Sequence, residues 1–232
     1  MNLVKQLPLG LSLACLMFMS SCSKEDAVTP GSAVTNESSN LRQGGPVISS
    51  VFHLPSTDGP TCVGCAANGW YLKIPARDAT SSLTAYAGDG LKKWRYPLPV
   101  PSTGSGSILT VISEGKMSGA TSHHIKNLIV GKKYKVTFST STTSLFGAYG
   151  PTPYASLALV SVQDWHVKGA PNLVSKTIDF TGKHSQWITE TVEFVATNED
   201  LRFGMYGGSP WEQTQLSYTN FHVGSNAVQQ IN

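Results

Sequence analysis

From residue 132 onward, apolar and polar positions alternate with period two in several segments, the pattern of half-buried β-strands. In 132–140, Tyr134, Val136 and Phe138 point one way and Lys133, Lys135 and Thr137 the other. In 187–197, Val192, Phe194 and Ala196 share a face opposite Glu193. In 201–206, Leu201, Phe203 and Met205 share a face opposite Arg202. Residues 154–163 are more continuously apolar, which predicts a central strand covered on both faces. Further strands are predicted at 47–53, 70–74, 82–86, 108–113, 122–126, 173–180 and 215–223. Phe138, Phe194 and Phe203 fall on core faces, and Trp187, beside core positions, is assigned to packing. No segment carries a helical stripe of useful length. Gly, Pro, Asn and Asp punctuate the strands at short intervals, which predicts an all-β sandwich or barrel.

The N-terminus follows a different pattern. Lys5 precedes an uncharged, mostly apolar run from Leu9 to Met19, the length of a signal-peptide core and too short for a membrane span. Ser20, Ser21 and Cys22 follow. The order Met19-Ser20-Ser21-Cys22 resembles the lipobox of bacterial lipoproteins, with Met19 where Leu is usual. The resemblance implies cleavage before Cys22, acylation of that cysteine, and a protein held at the outer membrane by lipid. Cys15 lies too early in the apolar run to be the cut site. Glu25-Asp26, just after the cysteine, resembles an acidic export signal that places lipoproteins on the outer, cell-surface leaflet. The same residues also read as a solvated linker, which leaves the periplasmic face open. Domain organisation is then residues 1–21 as signal peptide, 22–46 as lipidated cysteine and flexible tether, and 47–232 as one β-domain. Residues 23–46 are too polar to order themselves by burial.

Charge narrows the partners. The chain carries 17 basic and 14 acidic residues. Removing 1–21 takes away only Lys5, leaving a formal charge of +2. That balance argues against nucleic acid, which selects a basic stripe. The clusters Lys92-Lys93-Arg95 and Lys132-Lys133-Lys135 read as solvated strand edges or loops.

Residues 127–138, Asn-Leu-Ile-Val-Gly-Lys-Lys-Tyr-Lys-Val-Thr-Phe, resemble a stretch of jelly-roll carbohydrate-binding modules and their galactose-binding-like relatives. Those domains carry a Leu, a Gly-Lys turn and a Tyr-x-Val-x-Phe strand. The segments Trp187 to Thr197 and Leu201-Arg202-Phe203 are similar to paired strands of that family, and 218–223 sits where its sheet closes. The resemblance covers about residues 122–223 and implies a jelly-roll-type antiparallel β-sandwich. Two positions depart from it: Val51-Phe52-His53 replaces an Asn-Gly-x-Phe-Glu segment, and Asn220 stands where an Asp is common. Both family positions help hold a structural calcium, so no metal is expected here.

Catalytic patterns are missing. There is no His-Glu-x-x-His, Gly-x-Ser-x-Gly or phosphate-loop motif. Glu190 and Glu193 face opposite sheet surfaces, which does not suit a glycosidase pair. His123 and His124 also point to opposite faces, which suits a metal poorly. Cys62 and Cys65, among turn-forming residues of an exported chain, are expected to form a small disulfide staple. Redox and zinc roles are the alternatives, with His53 the only nearby additional zinc ligand. No cofactor is implied.

Two tryptophans lie in polar or turn-rich sequence: Trp165 in Gln163-Asp164-Trp165-His166, and Trp211 in Ser209-Pro210-Trp211-Glu212. An exposed indole is a flat apolar platform with a donor at its edge, suited to the C–H face of a sugar. Asp164, His166, Glu212 and Gln213 are the adjacent polar candidates. Tyr149, Tyr154 and Trp94 are weaker aromatic candidates. The alternative is that Trp165 and Trp211 plug the ends of the sandwich. Function therefore divides between a non-catalytic glycan-binding surface lipoprotein and a structural or adhesive lipoprotein that binds an envelope protein. A glycan-active enzyme ranks third.

Overall fold

The computed structural model describes residues 53–232, except 68, 149 and 210–214. Cys22, the tether and the strand predicted at 47–53 (His53 apart) lie outside the described residues. So do Tyr149, Trp211, Glu212 and Gln213.

The described residues contain no helix. The strands are β1 (Tyr71–Leu72), β2 (Ala79–Ser82), β3 (Ala85–Tyr86), β4 (Lys92–Lys93), β5 (Ser107–Ser113), β6 (Gly119–Ile125), β7 (Lys133–Thr143) and β8 (Phe146–Gly147). They continue with β9 (Gly150–Pro151), β10 (Leu157–Gln163), β11 (Asn172–Asp179), β12 (Ile188–Val195), β13 (Leu201–Gly208), β14 (Ser217–His222) and β15 (Val228–Ile231).

Four antiparallel pairs are nested along the chain. Innermost is the β10–β11 hairpin, then β7 with β12, β6 with β13, and β5 with β14. Such a double ribbon, rolled so that successive pairs fall in alternate sheets, is a jelly roll. One sheet has the order β1-β6-β13-β10-β11. The other has the order β12-β7-β14-β5-β2, with β15 extending β14's edge against β7.

The main core lies between these sheets. Tyr134, Val136 and Phe138 of β7 meet Phe194 of β12 and Phe203 of β13 in one apolar cluster. At one end the sheets approach closely: a Cβ on Gly207 would collide with the Thr219 side chain.

The six-stranded sheet is buried on its outer face as well over β2, β5, β14 and the C-terminal half of β7, whereas β12 and the start of β7 face solvent. The excursion through β3 and β4 lays Tyr86 and Trp94 against Ile112, Leu145 and Tyr218, a second apolar cluster. Burial there pushes the Tyr218 phenol up to about 12. Beside it the buried surface is polar. The Asn220 carboxamide accepts from Thr110 Oγ1 and donates to Thr143 Oγ1, each at 2.8 Å. Asn220 thus ties β14 to both neighbouring strands through its side chain. His222, fully buried, bonds Thr103 through Nδ1 at 2.6 Å and Asp58 through Nε2 at 3.1 Å.

Several expectations need correction. Segment 154–163 is not covered on both faces: Leu157, Leu159 and Gln163 of β10 alternate with buried Ala158, Val160 and Val162 and remain half-exposed. Trp187 is not core. It precedes β12, is half-buried, and donates from Nε1 to Pro99 O at 2.7 Å. Trp94, read as a weak surface candidate, is buried and donates to Ser82 O. Cys62 and Cys65 form a disulfide, with Cα atoms 5.2 Å apart. His53, the candidate additional zinc ligand, instead bonds Lys126 O.

The His222 bridge makes stability depend on pH. Burial holds His222 below its ordinary 6.5 despite the bond to Asp58, and burial acts on His123 in the same direction. As pH falls through 6.5, the unfolded chain binds protons that the folded one refuses, so stability falls with pH. Thermal melts between pH 7.5 and 5.5 should show a declining midpoint, with a shallower slope in His222→Gln. An unchanged slope in that variant would assign the effect elsewhere.

Candidate functional site

With much of the six-stranded sheet covered, the outer face of the five-stranded sheet is left open across all five strands. Its register sorts the outward side chains into three rows. The middle row runs Tyr71, Ser122, Gly204, Ser161 and Ser175 across all five strands. On one side lie His124, Arg202 and Gln163. On the other lie Ala120, Tyr206, Leu159 and Thr177. Small residues therefore floor a shallow trough between larger ones. At about 4.8 Å per strand it crosses about 19 Å of sheet. Tyr206 folds back over this floor, because a Cβ on Gly204 would stand only 3.0 Å from its ring.

At the β1 end the trough opens into a cavity of about 530 Å³, lined by Gly69, Tyr71, Ser122, His123, His124, Trp165 and Arg202. Two aromatic side chains stand at it well exposed, Tyr71 at 59% and Trp165 at 46%. Trp165 sits in the turn after β10, and two contacts fix its ring. The His124 imidazole meets it edge-on, with centroids 5.0 Å apart. Its Nε1 donates to Asp200 Oδ1 at 3.4 Å. His124 Nδ1 bonds the same carboxylate oxygen at 2.7 Å. Asp200, immediately before β13, thereby orients one ring from β6 and one from the β10 turn.

The predicted site residues divide. Trp165 stands at the cavity. Asp164 does not line it: its side chain is nearly buried, accepting from Thr197 Oγ1 at 2.9 Å and from His166 N at 3.2 Å. These bonds, Thr197's first, hold its carboxyl below the usual carboxylate range. His166 bonds back to Asp164 and packs its ring 4.3 Å from that of Trp165. Both residues build the turn that presents the indole. Trp211, Glu212 and Gln213 lie outside the described residues. Tyr154 stacks on His184 at 3.9 Å between centroids, away from the cavity lining.

Tyr71, His124 and Arg202 were not singled out from the sequence as contacts. Alternation placed Arg202 opposite the core face, but only pairing brings it beside His124 and Tyr71.

Among the described residues no carboxylate lines the cavity. The arrangement offers apolar platforms, hydrogen-bond donors and a cation, and it lacks the facing pair of acids that glycoside hydrolysis uses. Glu190 and Glu193 are ion-paired instead with Lys176 and Lys133. Among the described residues no three His, Cys, Asp or Glu side chains converge on a point that would hold a metal.

No protein-family model matches the chain, and no curated protein matches it significantly. Among solved structures it is similar to a xylan-binding domain of carbohydrate-binding module family 22, with 11% identity over 77% of this chain and 97% of that one, TM-score 0.43. It is similar to a family 22 xylan-binding domain from Paenibacillus barcinonensis at 9% identity, over 78% and 94% of the two chains, TM-score 0.41. A family 61 module solved with β-1,4-galactotriose is 11% identical over 71% and 89%, TM-score 0.40.

Gly69 shapes the cavity wall. Its φ is +76°, and a Cβ there would stand 2.7 Å from His123 Nε2. Gly64, inside the disulfide loop, has a similar φ of +72° but open space around it. Gly64→Ala should cost only the backbone penalty, about 1 kcal/mol. Gly69→Ala adds a clash and should cost roughly 2–4 kcal/mol. Denaturant melts of the two variants would check this, and equal losses would show that His123 moves freely.

Proposed function

We propose that this protein is a lipid-anchored envelope protein whose β-sandwich binds glycans without acting on them. The observation that carries the reading is the pair Tyr71 and Trp165, both well exposed at one cavity of an otherwise open sheet face. Two aromatic side chains at one cavity offer flat apolar platforms to a sugar ring, and a ring fixed in place loses little entropy on binding. Here Asp200 and His124 hold Trp165. Ser122, His124 and Arg202 supply polar groups for hydroxyls. Trp211, Glu212 and Gln213 remain candidate contacts of the same kind.

A glycan array on the purified protein should return binding. Tyr71→Ala and Trp165→Ala should each weaken it about tenfold to hundredfold, as removal of an aromatic anchor does, with unchanged thermal midpoints. Binding to no glycan, or silence of both substitutions, would overturn this site.

Anchoring rests on Cys22 and the lipobox-like residues before it. Cys22→Ala should move the protein out of the membrane fraction with its β-domain intact. Protease added to intact cells reads the leaflet: digestion supports the cell-surface placement drawn from Glu25-Asp26, and full protection places the domain in the periplasm.

A further inference from the structure

We infer that the glycan bound at this cavity is anionic, and that Arg202 recognises its carboxylate or sulfate. The inference rests on the glycan-binding reading and names the substrate class.

Arg202 projects from β13 onto the open face, opposite His124 on β6 and Gln163 on β10. It lines the cavity and is half-buried. Its guanidinium makes no ion pair or hydrogen bond with any described residue, whereas Arg77 is bound to Glu114, Lys133 to Glu193 and Lys176 to Glu190. The nearest acid along the strand, Asp200, is committed to His124 and Trp165.

Among the described residues the cavity wall thus holds one permanent cation, two imidazoles and no carboxylate. A neutral sugar would leave the guanidinium N–H donors partly desolvated without the paired acceptors that an acid supplies. A uronate or sulfated sugar stacked between Tyr71 and Trp165 would bring an acid to it. Guanidinium matches either group with two parallel N–H···O bonds, a geometry that lysine cannot reproduce. The Asp200 bond to His124 Nδ1 leaves Nε2 as the ring's remaining polar atom for the ligand.

The test titrates the purified protein with polygalacturonate, polymannuronate and polyglucuronate, each against its methyl ester. A sulfated galactan is compared with its desulfated form. The two sets separate carboxylate from sulfate. At least one acidic polymer should bind tenfold or more tighter than its neutral counterpart, and 0.5 M NaCl should erode that advantage. Arg202→Gln should remove most of the difference at an unchanged thermal midpoint, and Arg202→Lys should restore only part of it. Equal binding of acidic and neutral forms, or a silent Arg202→Gln, overturns the inference. If Tyr71→Ala and Trp165→Ala still weaken binding of a neutral glycan, the glycan-binding reading survives that failure. Binding to no polymer of either kind removes both.

Discussion

The six-stranded sheet is buried on both faces over β2, β5, β14 and the C-terminal half of β7, and the rest of the molecule is arranged around that constraint. A strand buried on one side can face water with polar residues. Strands β5 and β14 and the second half of β7 do not have that freedom, because the segment that carries Tyr86 and Trp94 lies over them. Polar groups trapped there must be bonded or they destabilise the fold by about 1–3 kcal/mol each. On the covered face the chain answers with short side chains bonded to one another, while the Ser217 and Thr219 hydroxyls of β14 are buried without a partner among the described residues. Thr110, Asn220 and Thr143 bridge three adjacent strands, and Thr103, His222 and Asp58 tie the covering loops to β14. Asp78 is part of the same solution. Burial raises its pKa, and backbone N–H groups of Ile112 and Ile74 hold the carboxyl in place.

Covering one sheet decides what the other can do. In a two-sheet sandwich only two outer faces exist, and here much of one is taken. The five-stranded sheet keeps its outer face open, and its composition reflects that role. Ser122, Gly204 and Ser161 are too small to shield it, and the larger residues to either side make a trough instead of a flat surface. The aromatic side chains are held by neighbours, not by burial. Tyr206 lies over Gly204. Trp165 is oriented by Asp200 and His124.

Much of the fold was legible because alternation reports burial directly. Tyr134, Val136 and Phe138 stand against Lys133 and Lys135 in the structure as in the sequence. The same signal misled at β10: Leu157 and Leu159 are apolar yet half-exposed, because they line the open face. It misled again at Trp187, whose ring leaves the sheet to bond Pro99 O. Short pairings such as β1 and β4 have no periodicity to read. The site was legible only in part. Trp165 stood out through its polar neighbours, but those neighbours, Asp164 and His166, form its turn. Tyr71, His124 and Arg202 come from three strands distant in sequence, and no local pattern records that they share one face.

Asp200 shows how closely the site is joined to the fold. Its position before Leu201 is set by the start of β13, whose register against β6 is fixed by the pairs Leu201 with Ile125 and Phe203 with His123. A slip of one residue would turn Arg202 and Tyr206 inward and Phe203 out to water. The core would lose a fully buried phenylalanine, so the register that buries Phe203 is the one that presents Arg202. The open face needs no separate device to order its outward residues. The hydrophobic alternation of β13 holds Arg202 and Tyr206 in place, and the carboxylate at its head aligns the rings of His124 and Trp165 beside them.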